Sequence, residues 1–202
     1  MKTITDLKDF CPKTTIVING DANFVAYPKI TDLGNLQEIK GFADFSDSKI
    51  TNLGNLQIVG GYAGFNSSQV RELGNLKTIL GSAIFENSQV QDLGELQTIE
   101  GSAYFSGSQV RNLVNLKTIK MDVNFEKSQV QSLGNLRKIG RNAFFNDSKV
   151  QHLGKLKTIG GTAFFSDNQV QKLGNLQRIG GNAYFGNRTD LKAEWEAKQN
   201  NK

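Results

Sequence analysis

Apolar positions recur on a 20-residue frame from Ile30 to Phe185, with no insertion or deletion. Phenylalanine stands at Phe45, Phe65, Phe85, Phe105, Phe125, Phe145, Phe165 and Phe185. Two residues before each is a small apolar residue, alanine in every unit except the one with Val123. Five residues after the ring comes Ile50, Val70 or a later valine, and then three apolar sites three apart: Leu53, Leu56 and Val59 in one unit, Leu173, Leu176 and Ile179 in the last. Ile18-Asn19-Gly20-Asp21-Ala22-Asn23-Phe24 parallels Ile39-Lys40-Gly41-Phe42-Ala43-Asp44-Phe45 with one extra residue between them, which brings the number of coils to nine. A unit this short cannot bury its own apolar face, so successive coils must stack.

Each unit holds two local patterns. Gly-x-Ala-x-Phe alternates as a half-buried strand does, with alanine and phenylalanine inward and the x residues outward. Val-x-x-Leu-Gly-Asn-Leu-x-x-Ile has period three over ten residues and carries a central glycine in most units. A mid-helix glycine costs about 1 kcal/mol relative to alanine, so extended chain or short 3₁₀ turns are expected there. The predicted fold is mainly β: a right-handed, β-helix-like solenoid of about nine 20-residue coils with one long parallel sheet. At about 4.8 Å per strand the rod is roughly 40 Å long. Solenoid ends need covers. Residues 1–13 are expected to form a short N-terminal cap through Leu7 and Phe10, stopped by Pro12. Residues 14–187 form the solenoid, and 188–202 a C-terminal capping helix and tail. In that helix Asp190 is the expected N-cap, and Leu191, Trp195 and Lys198 share one side, with the Trp195 ring sealing the last coil.

Over residues 14–187 the cadence L-x-x-L-x-x-I, followed by a strand and a small polar residue, resembles the leucine-rich repeat in a short, 20-residue bacterial style. Asn35-Leu36-Gln37-Glu38-Ile39-Lys40-Gly41 is also similar to the cadence of receptor L domains of insulin-receptor type. Two departures are visible. Where the family has asparagine at the strand exit, this chain has Ser48, Ser68, Ser88, Ser108, Ser128 and Ser148, with Asn168 alone matching; and alanine fills the first strand position, where leucine is usual. A serine hydroxyl satisfies fewer backbone groups than an amide. Ala43-Asp44-Phe45-Ser46-Asp47 also matches a pentapeptide-repeat unit, but the leucines that follow fall three apart and break that pattern. The leucine-rich-repeat resemblance implies a scaffold for protein–protein interaction.

Charge is unevenly placed. Residues 1–100 hold 8 basic and 12 acidic side chains, a net −4, and residues 101–202 hold 16 and 7, a net +9. Cys11 is the single cysteine, which leaves no internal disulfide, and the acids among the first nine residues do not suit a signal peptide. No stretch approaches the ~18 apolar residues of a membrane span. A cytoplasmic protein without a membrane partner is therefore expected. His152 is the only histidine and lies about seven coils from Cys11, so no Cys/His pair or metal cluster is expected. The glycines follow the repeat and form no strand-to-helix phosphate loop. These absences point to a protein that is not an enzyme and needs no cofactor.

The outward strand slots carry the functional expectation. Between alanine and phenylalanine stand Asp44, Gly64, Ile84, Tyr104, Asn124, Phe144, Phe164 and Tyr184. Phe42 and Tyr62 precede the alanines of their own coils. Phe144, Phe164 and Tyr184 should form a contiguous row that Phe42, Tyr62, Ile84 and Tyr104 extend toward the N-terminus, an exposed apolar band of the kind that marks a contact surface. Cross-strand stacking is the structural account of the same residues. Ser46, Asn66, Glu86, Ser106, Glu126, Asn146 and Ser166 supply a polar rim, the anatomy of a protein-binding patch. The expected partner is another protein. A glycan stacked on the same rings is the alternative, and a nucleic acid is a weaker one. The nucleic-acid reading rests on Lys117, Arg137 and Lys157, with Lys138 and Arg178 beside them, as anion contacts on a different side of the rod. Gln37, Gln57, Gln97 and Gln177 occupy the same slot as the first three. The coil containing Val114, Met121 and Val123, in place of glycine, glycine and alanine, is the one irregularity and reads as repeat drift.

Overall fold

The alternation of small and aromatic residues builds the first sheet. The computed structural model describes residues 16–25 and 27–200. Nine two-residue strands, from Ala22–Asn23 and Ala43–Asp44 through Ala163–Phe164 to Ala183–Tyr184, pair in parallel and in chain order. The register is 20 residues (Ala43 opposite Ala63, Phe144 opposite Phe164), and 21 only between Ala22 and Ala43. The extra residue of the first coil sits in the turns between Phe24 and Ile30, where Tyr27 N–H donates to Phe24 O and Ile30 N–H to Tyr27 O.

The expected solenoid of stacked 20-residue coils is present, and it carries a second sheet beyond the single one expected. The last apolar site of each period-three segment enters nine further parallel strands, from Ile16–Ile18 and Leu36–Ile39 through Thr118–Ile119 to Arg178–Ile179. The segment is extended because the central glycine makes a corner there: Gly54, Gly94 and Gly134 have φ of +56°, +53° and +52°, the left-handed region that breaks a helix. Three residues, such as 40–42, turn the chain from this sheet into the first. Single bridges at Ser132, His152 and Lys172 line the remaining side.

The inward residues are those the repeat selects. Phe45, Leu56, Val59, Ala63, Phe65 and Val70 are all fully buried, and their equivalents along the rod are buried too except in the end coils, where Ile16, Ile18, Ile179 and Ala183 are partly buried. Nine phenylalanines from Phe24 to Phe185 form one internal stack, with neighbouring ring centroids 4.9–5.5 Å apart and planes within 20° of parallel. Burying each ring contributes about 1.5–3 kcal/mol. The serine column runs beside it. Ser48 Oγ donates to Phe45 O (2.8 Å), whereas the hydroxyls of Ser68, Ser88, Ser108, Ser128 and Ser148 have no hydrogen-bond partner among the described residues. Asn168 does more in the same place, its amide donating to Phe165 O and accepting from Val170 N–H (2.9 Å).

The C-terminal helix α1, Thr189–Asn200, begins one residue before Asp190. Its first backbone bond runs from Lys192 N–H to Arg188 O, so Asp190 lies in the first turn and is not the N-cap. There its charge still faces the positive end of the helix. Leu191 is buried, and Trp195 packs partly buried against the core as the expected seal. The polar face of the helix imitates a tenth coil. Inside the rod Leu33 N–H donates to Asn52 O and Leu133 N–H to His152 O; at the end, Leu173 N–H donates to Glu194 Oε2 (2.9 Å) and Gly174 N–H to Glu194 Oε1 (3.2 Å). Gly34 O accepts from Asn55 N–H, whereas Gly174 O accepts from Lys198 Nζ (2.8 Å). Arg188 donates to Asn168 O, Asn168 Oδ1 and Val170 O and pairs with Asp190 at 2.7 Å. The proposed N-terminal cap at Leu7 and Phe10 lies outside the described residues. No helix among the described residues is long and apolar enough to cross a membrane.

Two outcomes follow from this packing. A methyl at Gly94 would overlap the Gly74 carbonyl oxygen, whereas one at Gly74 meets nothing within 4 Å, and both have φ of +53°. Gly74→Ala should cost about 1–2 kcal/mol from the backbone alone, and Gly94→Ala clearly more, in chemical denaturation. The Arg188 guanidinium holds the Asp190 carboxyl below its ordinary value, so this pair stabilises the cap above the usual carboxylate range and loses its effect as pH falls through the lowered value. Wild type and Asp190→Asn, followed by Trp195 fluorescence, should differ at neutral pH and converge only once the pH has fallen below the ordinary carboxylate range and through the lowered Asp190 value.

Candidate interaction surface

The outward face of the first sheet is built by the same register that builds the core. With Ala143 over Ala163 over Ala183, the next residues stack as well: Phe144 on Phe164 at 4.9 Å and 5°, and Phe164 on Tyr184 at 5.2 Å and 13°. Phe144 and Phe164 are half-buried, and Tyr184 is 49% exposed. At the other end Phe42 and Tyr62 stack at 5.0 Å and 10°. At Gly64, Asp44 Oδ1, Ser46 Oγ and Tyr62 Cε2 stand 3.1, 3.2 and 3.4 Å from where a Cβ would be, so the Tyr62 ring edge borders the slot that glycine leaves open. Burial, then the carboxylates of Asp44 and Asp21, push the Tyr62 phenol above its usual value. Ile84 and Tyr104 lie opposite each other on the next two strands, both half-buried. All seven expected surface residues therefore share this face, in two blocks separated at Asn124.

Stacking decides what each block presents. Parallel rings one strand apart cover each other's faces, so the row offers its edges to solvent. The slot before alanine is held by a hydrogen-bonded rail: Ser82 Oγ accepts from Ser102 N–H, Ser102 Oγ from Asp122 N–H, Asp122 Oδ1 from Asn142 N–H (2.9 Å) and Asn142 Oδ1 from Thr162 N–H (2.8 Å). On the rim Ser106 Oγ donates to Glu126 O (2.7 Å) and Asn146 Oδ1 accepts from Ser166 N–H (3.1 Å).

Between the blocks lies a cleft of about 280 Å³ lined by Tyr104, Asp122, Val123, Asn124, Glu126, Asn142 and Phe144. Of these, Glu126 belongs to the expected polar rim and Asn124 to the outward slot series, whereas Asp122 and Asn142 were not expected to take part in the surface. The signal for the cleft was the missing ring at Asn124 between Tyr104 and Phe144.

The cations sit on the other sheet. Lys117, Arg137 and Lys157 immediately precede successive strands and are joined by backbone bonds, and Lys138, Thr158 and Arg178 are in register beside them. All five cations are exposed, and none pairs with a carboxylate among the described residues; Lys117 Nζ donates to Gln97 Oε1 at 2.8 Å. His152 is exposed on the third side. Among the described residues no group of three His, Cys, Asp or Glu side chains could hold a metal. Comparisons with protein-family models, with curated proteins and with solved structures found no match for this chain.

A double-mutant cycle between Phe144 and Phe164, each changed to alanine, should give a coupling of about 0.5–1.5 kcal/mol in thermal unfolding. Ring contact that adds nothing to stability would give a coupling near zero.

Proposed function

We propose that this chain is a non-enzymatic protein-interaction module that docks its partner on the outward face of the first sheet. The observation that supports this most is the pre-stacked row of Phe144, Phe164 and Tyr184 in the middle of a polar rim. Rings already ordered by their neighbours lose little side-chain freedom on binding, and aromatic anchors inside a polar rim are where binding energy concentrates. The resemblance to leucine-rich repeats points the same way. Parallel stacking also favours a protein over a sugar along this row, because a sugar ring packs on an aromatic face and here most faces are covered by the next ring. The exposed cations on the neighbouring sheet would steer an acidic partner or flank.

The triple variant Phe144→Ser, Phe164→Ser and Tyr184→Ser should abolish partner capture from native extract while the rod keeps a cooperative unfolding transition. Undiminished capture by the folded variant would remove this face from consideration.

A further inference from the structure

The aromatic row has a gap one ring wide. Along the outward slot the series runs Tyr104, Asn124, Phe144, Phe164, Tyr184, so Tyr104 and Phe144 stand two strand spacings apart, roughly 10 Å, with no ring between them. Elsewhere on this molecule rings one spacing apart sit 4.9–5.5 Å from centroid to centroid, so one more flat group would complete the stack. Phe144 is covered by Phe164 on one side only, and its other face borders the cleft.

The polar lining of the gap includes two carboxylates, Asp122 and Glu126, with no cationic partner among the described residues. Asp122 Oδ1 accepts from Asn142 N–H, and its second oxygen makes no bond among the described residues. Glu126 Oε1 receives one long contact from the Asn146 amide (3.5 Å), and Oε2 none. Among the described residues neither carboxylate pairs with a lysine or arginine, although the C-terminal half carries a net +9. The floor is held in place before any ligand arrives: Asn124 Oδ1 accepts from Glu126 N–H (2.7 Å), and the rail through Asp122 and Asn142 is closed by Thr162 N–H.

We propose that this cleft is a subsite for an arginine side chain of the partner protein, its guanidinium stacked between Tyr104 and Phe144 and hydrogen-bonded to Asp122 and Glu126. A guanidinium is flat, so it can lie against both rings, and it remains charged with donors along its edges for carboxylates. An ammonium has the charge without the plane, and a neutral ring has the plane without the charge. The inference rests on reading the sheet face as a protein-docking surface and adds the chemistry of one anchor.

The test uses N-acetyl-arginine amide as the probe, titrated into the full chain and followed by amide chemical shifts. Saturable binding is expected, with the largest shifts at residues 104, 122–126 and 142–144, and affinity at least about tenfold above that of N-acetyl-lysine amide. Asn124→Phe, which fills the gap with a ring, should abolish probe binding without lowering the thermal midpoint. The pair Asp122→Asn and Glu126→Gln, which keeps the backbone acceptor at residue 122, should weaken it by about tenfold or more. Absence of saturable arginine binding to wild type, equal binding to Asn124→Phe, or preference for methyl glucoside over the arginine probe would overturn the proposal. Partner capture is measured separately. A null arginine titration alongside loss of capture in the triple serine variant removes the subsite and leaves the docking face standing; arginine binding with capture intact in that variant does the reverse.

Discussion

Parallel stacking at one strand spacing puts every side chain directly over its counterpart 20 residues away, and the rest of this molecule follows from that. Inside, the rule turns one phenylalanine per coil into a stack of nine rings. At the corners it brings glycine over glycine, close enough that a Cβ at Gly94 has no room beneath the Gly74 carbonyl. On the outer face it turns a sequence of slots into a row of side chains in contact. A single coil has no stable fold of its own, so interior order and surface order come from one set of backbone bonds.

The same rule creates a problem at the ends, and the C-terminal helix shows how it is met. The last coil leaves the Leu173 donor and the Gly174 acceptor that a further coil would have satisfied, and beside them lie the Gly174 donor and the Asn168 and Val170 carbonyls. Glu194, Lys198 and Arg188 supply a carboxylate, an ammonium and a guanidinium at those places, while Leu191 and Trp195 cover the apolar interior. Charged side chains suit this role because they reach from a helix whose backbone is already satisfied.

Much of the architecture was legible in the chain because the frame never slips between Ile30 and Phe185. The buried identities of Ala43, Phe45, Val70 and Leu73 all follow from it. The second sheet was harder to see, since most of its strands pair only two residues, such as Thr78–Ile79, too short to show alternation within a period-three segment. The N-cap moved from Asp190 to Arg188 because the helix entry is set by the docking of Arg188 on coil eight, a contact separated by 20 residues. On the surface, the seven apolar residues could be placed on one face from alternation alone. The cleft at Asn124 could not, because its meaning lies in what neighbouring strands carry. The coil read as drift, with Val123 and Asn124 in place of alanine and an aromatic, is the coil that opens the gap.

The measurement that bears most directly on the stacking rule is excision of one whole coil, residues 71–90, compared with excision of the half coil 71–80. Twenty residues restore every vertical neighbour, so the shortened rod should unfold in one cooperative transition with Trp195 still shielded, and the half-coil deletion should have no such transition. Loss of cooperative unfolding in the whole-coil variant, or its survival in the half-coil variant, would contradict the account.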